Sequence, residues 1–273
     1  FSLNTSVKAF YVQVSEPQLD SLESDFERLK ISLKNDWNIK EVTCSLHVLK
    51  GLQEKLRRGK WEITVLLYYK ENTAPEIVDV HSGYSEIPAF GLAIDLGSTS
   101  IAATLCDLNS GKIIDSMGIM NPQIRYGEDV MSRVSYCMME EKGLATLNNS
   151  VIEGISELTR KITEKHGIKL DSVFEIVFVA NPIMHHLLLG IDPKELGQAP
   201  FPLVFSDSLN IKSKDIGLNL NPESYVYTVP CIGGHVGADA ASVLIAEQPQ
   251  KEKDTTSLLI CLLYTSDAAD DGL

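Results

Sequence analysis

Residues 7 to 14 alternate polar and apolar positions with the two-residue period of a β-strand. Ser15-Glu16-Pro17 then opens a helical pattern in which Leu19, Leu22, Phe26, Leu29 and Leu33 recur at spacings of three and four, a single apolar stripe. A second helix is predicted from about Ser45, with Leu46, Leu49, Leu52 and Leu56 on one side. Arg57 and Arg58 complement the negative end of its dipole before Gly59 stops it. Trp61, Ile63, Val65, Leu67 and Tyr69 alternate as a half-buried strand, and Glu76 to Val80 can pair with it. Residues 1–87 thus read as a small α+β unit. It holds no cluster of catalytic residue types, so it suits docking or spacing better than catalysis.

The turn-forming stretch His81-Ser82-Gly83-Tyr84-Ser85-Glu86-Ile87-Pro88 marks a boundary, after which the pattern changes. Phe90 to Leu96 is a short apolar run of the kind found in buried strands, and Ser100 to Leu108 is a second strand. The turn Asn109-Ser110-Gly111-Lys112 leads to a third, through Met117. Helical patterns follow at 128–140 and 149–166, then a strand at 173–180, a short helix, a strand at 224–230 and a helix at 236–247. This order predicts an α/β fold, a mixed five-stranded sheet covered by helices, over residues 88–260.

The chain has 273 residues, 44% of them hydrophobic, enough to bury a substantial core. Its 24 basic and 37 acidic residues leave a net charge of −13, which repels phosphate backbones and acidic membranes. Nucleic acid and membranes are therefore not expected partners. Five cysteines, widely spaced and without a C-x-x-C pair, argue for reduced thiols in a cytoplasmic setting and against a zinc or iron–sulfur site within this chain. No apolar stretch reaches the length of a membrane span. The first residue is Phe1, not Met, as processing or an incomplete gene would produce.

Candidate chemistry concentrates in Asp95-Leu96-Gly97-Ser98-Thr99-Ser100, at the end of a buried strand and the start of a hairpin. A phosphate needs backbone N–H groups and hydroxyls converging on it. Gly97 removes the Cβ that would block the approach, and Ser98, Thr99 and Ser100 supply donors. Asp95, at the strand terminus, can hold the water shell of a Mg²⁺ that neutralises nucleotide phosphates. The loop lacks the G-K-[ST] ending of a P-loop. Its composition is equally that of an ordinary hairpin turn. Glu128 and Asp129 serve either a helix dipole or a cleft, and Asp239 is either a first-turn carboxylate or a cleft group that orients water or metal. Adjacent His185 and His186 cannot both face one metal, so packed or hydrogen-bonded roles are expected for them. Gly233-Gly234 permits close backbone approach, and Ala238, Ala240, Ala241 and Ser242 keep the following helix slim.

The element order resembles the first lobe of the actin/Hsp70/sugar-kinase (ASKHA) superfamily, with its ribonuclease H-like ATPase fold. Asn121-Pro122-Gln123, Tyr126-Gly127-Glu128-Asp129-Val130, Ser132-Arg133 and Ala180-Asn181-Pro182-Ile183-Met184-His185-His186-Leu187-Leu188 sharpen the likeness. So do Gly190-Ile191-Asp192-Pro193, Ala199-Pro200-Phe201 and Ile232-Gly233-Gly234-His235-Val236-Gly237-Ala238-Asp239. Together they resemble the ASKHA domain of corrinoid-protein reductive activators, and residues 1–85 resemble the middle domain of the same family.

The resemblance implies a protein that uses ATP to drive cob(II)amide to cob(I)amide on a corrinoid partner protein, with an electron donor and a homodimer left open. It implies ATP and Mg²⁺ as cofactors, with Asp95 and Asp239 in catalytic roles and Asp95 toward the metal. Gly97, Ser98, Thr99, Ser100, Gly233 and Gly234 would contact the nucleotide. The family's N-terminal ferredoxin domain with its [2Fe–2S] cluster, and its second lobe, are missing from this chain. After Thr256 to Ile260, residues 261–273 depart from the family pattern and read as foreign sequence resembling adaptor read-through. The rival readings are a sugar- or acetate-kinase type phosphotransferase and a non-catalytic binding module. A third, a 2-hydroxyacyl-CoA dehydratase activator, requires cluster cysteines that Cys231 alone does not supply.

Overall fold

A computed structural model describes residues 4–20 and 22–251. The strand expected at 256–260 and the tail 261–273 lie outside them.

The first unit runs β1 (Val7–Gln13), α1 (Asp25–Trp37), β2 (Thr43–Cys44), α2 (Leu46–Arg58), β3 (Glu62–Tyr68) and β4 (Glu76–Ser82). Its four strands lie in the order β1-β3-β4-β2. α1 starts later than the apolar spacing predicts. Ser24 is its N-cap, and Ser24 and Glu27 exchange side-chain and backbone hydrogen bonds as a capping box, which satisfies orphan donors and sets the start. Leu19 and Leu22 therefore fall outside the helix and are exposed, whereas Leu29 and Leu33 are buried. In α2 the buried side chains are Val48, Leu52 and Leu56, because β4 lies against that face, and Leu46 and Leu49 are exposed.

The second unit runs β5 (Phe90–Leu96), β6 (Ser100–Asp107), β7 (Ile113–Met120), α3 (Val130–Met139), α4 (Gly143–Lys165), β8 (Val173–Ala180), α5 (Pro182–Leu188), β9 (Leu209–Lys212), β10 (Tyr225–Thr228) and α6 (Ala238–Glu247). Its sheet has six strands, not five, in the order β7-β6-β5-β8-β10-β9. The additional strand, β9, is a four-residue antiparallel edge to β10, too short to show a period of its own. β5 pairs with β8 in parallel and with β6 in antiparallel fashion, so the centre of the sheet is mixed.

The two faces of this sheet differ. Leu92, Ile94, Leu96, Ile101, Ala103, Leu105, Ile176 and Phe178 join residues of α3, α4 and α5 in the main core. On the opposite face Ala93, Asp95 and Ala102 are exposed, while Val177, Val179 and Tyr227 pack with Ala238 and Ala241 of α6.

The first sheet is docked on the second unit through Val7, Leu66, Tyr68, Val78, Ile87, Ala89, Phe174 and Tyr225. β3 is thus buried on both faces from Ile63 to Tyr68, not half-buried as its alternation suggests. Ile63, Val65 and Leu67 face α1 and α2, while Leu66 and Tyr68 face the second unit. Tyr68 stacks on Tyr225 with ring centres 4.0 Å apart. Lys212 lies 3.9 Å from the Tyr225 ring centre and ion-pairs with both Glu76 and Glu223 at 2.8 Å. The Tyr225 hydroxyl donates to Glu76, and the Tyr68 hydroxyl donates to Glu175 at 3.0 Å.

Burial pushes the Glu76 carboxyl up, but the hydrogen bonds from Lys212 and Tyr225 outweigh it and hold the group below its ordinary pKa of 4.5. A carboxyl depressed on folding contributes stability above its unfolded pKa and loses it as pH falls through the folded value. Lys212→Met leaves Glu76 and the 1%-exposed Glu223 without their cation. Removing one partner of a buried pair costs about 3–5 kcal/mol. Urea unfolding at neutral pH is expected to show that loss, shrinking as the pH is lowered below the ordinary glutamate range. An unchanged midpoint would mean that this network contributes nothing to docking.

Candidate functional site

β5 ends where Gly97 turns the chain. A Cβ at Gly97 would meet the Ser100 carbonyl oxygen at 2.7 Å, so this tight connection needs glycine. Leu96 and Ile101 remain in register across the turn, leaving Gly97, Ser98, Thr99 and Ser100 as a short connection at the end of two interior strands of the sheet. Among the described residues, no hydrogen bond ties down the hydroxyls of Ser98, Thr99 or Ser100, and Thr99 and Ser100 are exposed.

The loop is held from behind by its carbonyls. Asn121 Nδ2 donates to Gly97 O at 2.8 Å, and the Asn121 backbone N–H donates to Thr99 O at 2.9 Å. Arg133 Nη2 donates to Ser98 O. With their carbonyls bonded inward, the loop residues keep hydroxyls available on the solvent side.

The two anchors are themselves fixed. Asn121 Oδ1 accepts from Gln123 N and caps a 3₁₀ turn over Pro122–Tyr126. Gln123, fully buried, donates to Leu147 O in α4 and accepts from Arg133 Nη1 at 3.2 Å. Arg133 is itself 0% exposed; its Nε donates to Gly127 O at 3.1 Å, and its Nη1 also lies 3.0 Å from Met184 Sδ. Asp129 caps α3 by accepting from Ser132 N at 2.7 Å, a bond that lowers its pKa and gives it the helix-capping one of its two predicted roles.

Asp95 stands in the β5 row opposite Ala102 and Val179, on the exposed face of the strand. Its carboxylate has no hydrogen-bond partner among the described residues. Desolvation by the surrounding protein, and then the negative charge of Asp239, raise its pKa above the ordinary value. Asp239 comes from a different element, the first turn of α6, where its Oδ1 accepts from Ala240 N at 2.8 Å. α6 begins against the end of β8: a Cβ on its N-cap Gly237 would meet Asn181 Cα at 2.7 Å and Ala180 O at 2.8 Å. The fold thus brings Asp95 and Asp239, 144 positions apart by their numbers, into electrostatic contact beside the Gly97–Ser100 loop.

Gly233 and Gly234 differ in their surroundings. A Cβ on Gly234 would meet Phe201 O at 2.1 Å, so this glycine admits the neighbouring backbone segment, while Gly233 has open space around its Cβ position. His186 is hydrogen-bonded: its Nδ1 pairs with Pro182 O at 2.8 Å and its Nε2 accepts from Val204 N at 3.3 Å. His185 is packed beside Phe205, with both ring nitrogens unpaired, and burial together with His186 lowers its pKa to about 4. Both histidines are buried.

Desolvation first and the Asp239 charge second disfavour an ionised Asp95, and a divalent cation beside the two carboxylates would offset the second of these. Among the described residues no group of three or more His, Cys, Asp or Glu side chains could hold a metal ion. Mg²⁺ commonly keeps several waters and takes one or two carboxylates plus substrate phosphates. No described helix is long and apolar enough to cross a membrane.

Asn121, Gln123 and Arg133 are the residues to which sequence reasoning assigned no role. A signal existed for Arg133. It falls on the same helical face as Val130, Val134 and Cys137, a charged residue on an otherwise buried stripe.

The raised pKa of Asp95 makes a stability prediction. A carboxyl raised on folding weakens the fold as pH climbs from its unfolded value of 3.8 through the folded one, and the penalty is complete above that. Asp95→Asn is therefore expected to raise the Tm of the ligand-free protein at pH 7, with the gain disappearing below the ordinary aspartate pKa. Differential scanning calorimetry across that range checks it; a lowered Tm at pH 7 would contradict the electrostatic reading.

Residues 90–252 match the RACo middle region and residues 1–87 the RACo linker region. The chain is 34% identical over 170 residues to the corrinoid activation enzyme RamQ of Eubacterium limosum, covering 62% of this chain and 29% of that protein. It superimposes on the solved structure of a reductive activator for corrinoid, iron–sulfur protein with a TM-score of 0.84 at 27% identity, over 93% of this chain and 40% of that one. The chain thus spans less than half the length of either relative. With the RACo middle region alone matching most of its length, this chain belongs to the RACo family.

Proposed function

We propose that this chain supplies the phosphate-binding lobe of an ATP-dependent reductive activator of a corrinoid protein. The observation that carries the reading is the convergence of Asp95, Asp239 and the Gly97–Ser100 loop on the exposed face of the sheet, in a chain whose relatives bear the names of corrinoid activators. The reaction is a one-electron reduction: cob(II)amide on the partner gains an electron and becomes cob(I)amide, and an iron–sulfur donor elsewhere loses one. ATP binding and hydrolysis would couple to that step by favouring a closed arrangement that changes how the partner's corrin is held.

Within the lobe the division of labour follows from the geometry. The hydroxyls of Ser98, Thr99 and Ser100 would donate to phosphate oxygens, and Asp95 with Asp239 would orient the waters of a Mg²⁺ that spreads the phosphate charge. Gly97 keeps the turn tight enough for that approach. Gly234, occupied by its contact with Phe201, would shape the cleft wall rather than touch nucleotide.

Two measurements test the reading. In the full reading frame that encodes this chain, Asp95→Asn is expected to lower ATP-dependent corrinoid reduction at least roughly a hundredfold, the scale of a positioned electrostatic group. The cob(II)amide to cob(I)amide absorbance change with a purified corrinoid partner reports it, and a wild-type rate would remove Asp95 from the mechanism. The 273-residue chain alone is expected to bind MgATP no better than about millimolar, equivalent to roughly 4 kcal/mol, because phosphate contacts alone leave the adenosine without a pocket. Micromolar affinity would contradict a site shared between lobes. A kinase assay with sugar and carboxylate acceptors separates the phosphotransferase reading, which requires phosphate transfer to a small molecule.

A further inference from the structure

Arg133 is a fully buried cation whose hydrogen-bond partners are all neutral: Ser98 O, Gly127 O, Gln123 Oε1 and Met184 Sδ. The acid whose charge acts on it, Asp129, makes no hydrogen bond to it among the described residues and caps the α3 N-terminus instead. A buried ion whose direct contacts are all neutral is costly to hold, with only the field of Asp129 to offset it. One guanidinium hydrogen bond ends on the backbone of the loop that is proposed to receive phosphate. The fork also ties that loop to the 3₁₀ turn through Gln123 and to α5 through Met184, so loop, turn and helix share a single rigid post.

We propose that Arg133 is a positioning residue for the nucleotide: from behind the Gly97–Ser100 loop it fixes the Ser98 carbonyl inward, and its buried positive charge prepares the loop for a polyphosphate anion. This rests on the nucleotide-binding reading above. Arg133 lies behind the loop backbone and need not touch the ligand. Its influence passes through the Ser98 peptide, whose dipole is aligned by the bond to the guanidinium, and through the field of a charge held where water does not screen it. Such an influence grows with the charge of the ligand, whereas a loss of packing does not.

That difference defines the experiment. Equilibrium dialysis of adenosine, MgADP and MgATP is carried out with the full-length protein as wild type, Arg133→Gln and Arg133→Lys. Arg133→Gln is expected to weaken MgATP by about tenfold or more, MgADP by less and adenosine by under about twofold, the pattern of a lost charge interaction. Arg133→Lys keeps the charge but cannot span four partners, so its MgATP affinity is expected to lie between the other two. Equal weakening of all three ligands, or none, overturns the proposal. If circular dichroism shows that Arg133→Gln does not fold, the Lys variant decides alone: a loss confined to the phosphorylated ligands supports the proposal, and a uniform loss or none overturns it. A wild-type protein that binds no MgATP defeats the nucleotide-binding reading and this inference with it. A wild type that binds MgATP, beside an equally competent Gln variant, defeats only the role of Arg133.

Discussion

Unequal burial of the two faces of the six-stranded sheet is the constraint from which the site follows. One face is sealed by α3, α4 and α5 into the main core, where Leu92, Ile94, Leu96, Ile101, Ala103 and Leu105 supply apolar area on successive inward positions. Each fully buried aliphatic side chain of this kind contributes on the order of 1.5–3 kcal/mol. The opposite face carries Ala93, Asp95 and Ala102, small or charged residues that cover little and leave the strand ends accessible. Because side chains alternate along a strand, the residues that stabilise β5 force Asp95 to the open side.

An open strand end is useful only if the chain leaving it is held still. The loop after β5 has hydroxyls without partners and would fray on its own hydrogen bonds, yet its three carbonyls are each engaged, by Asn121 twice and by Arg133 once. The polar residues that do this are buried, and their remaining groups are nearly all satisfied, which is the condition under which a buried polar network adds rigidity. The same logic distinguishes the two histidines of α5. His186 is saturated and holds the 204 backbone, whereas His185 is packed with unpaired nitrogens and titrates far below neutrality.

Docking of the first unit uses a different chemistry. Its apolar contact is small, and it is completed by Tyr68 stacked on Tyr225, with Lys212 placed between Glu76 and Glu223. The strand β10 that carries Tyr225 pairs with β8, and β8 pairs with β5, so the docking surface and the Asp95 strand belong to a single hydrogen-bonded sheet.

The sequence by itself determined the elements whose burial is local. Apolar runs and turn residues placed β5, β6, β8 and α6 within a few positions, and the glycine and hydroxyl residues of Asp95-Leu96-Gly97-Ser98-Thr99-Ser100 placed a tight turn between β5 and β6. Where a capping box competed with apolar spacing, as at Ser24 and Glu27, the local hydrogen bonds won and left Leu19 and Leu22 exposed. Tertiary structure alone decided the rest. β3 alternates in sequence like a half-buried strand, but the face it leaves free of α1 and α2 is covered by residues more than a hundred positions away in the chain, Phe174 and Tyr225. β9 exists because β10 offers it an edge. The charge of Asp239 acts on Asp95, and Arg133 reaches Ser98, through a tertiary arrangement that no local pattern encodes. Periodicity reports which face of an element is buried; it does not report what lies against that face.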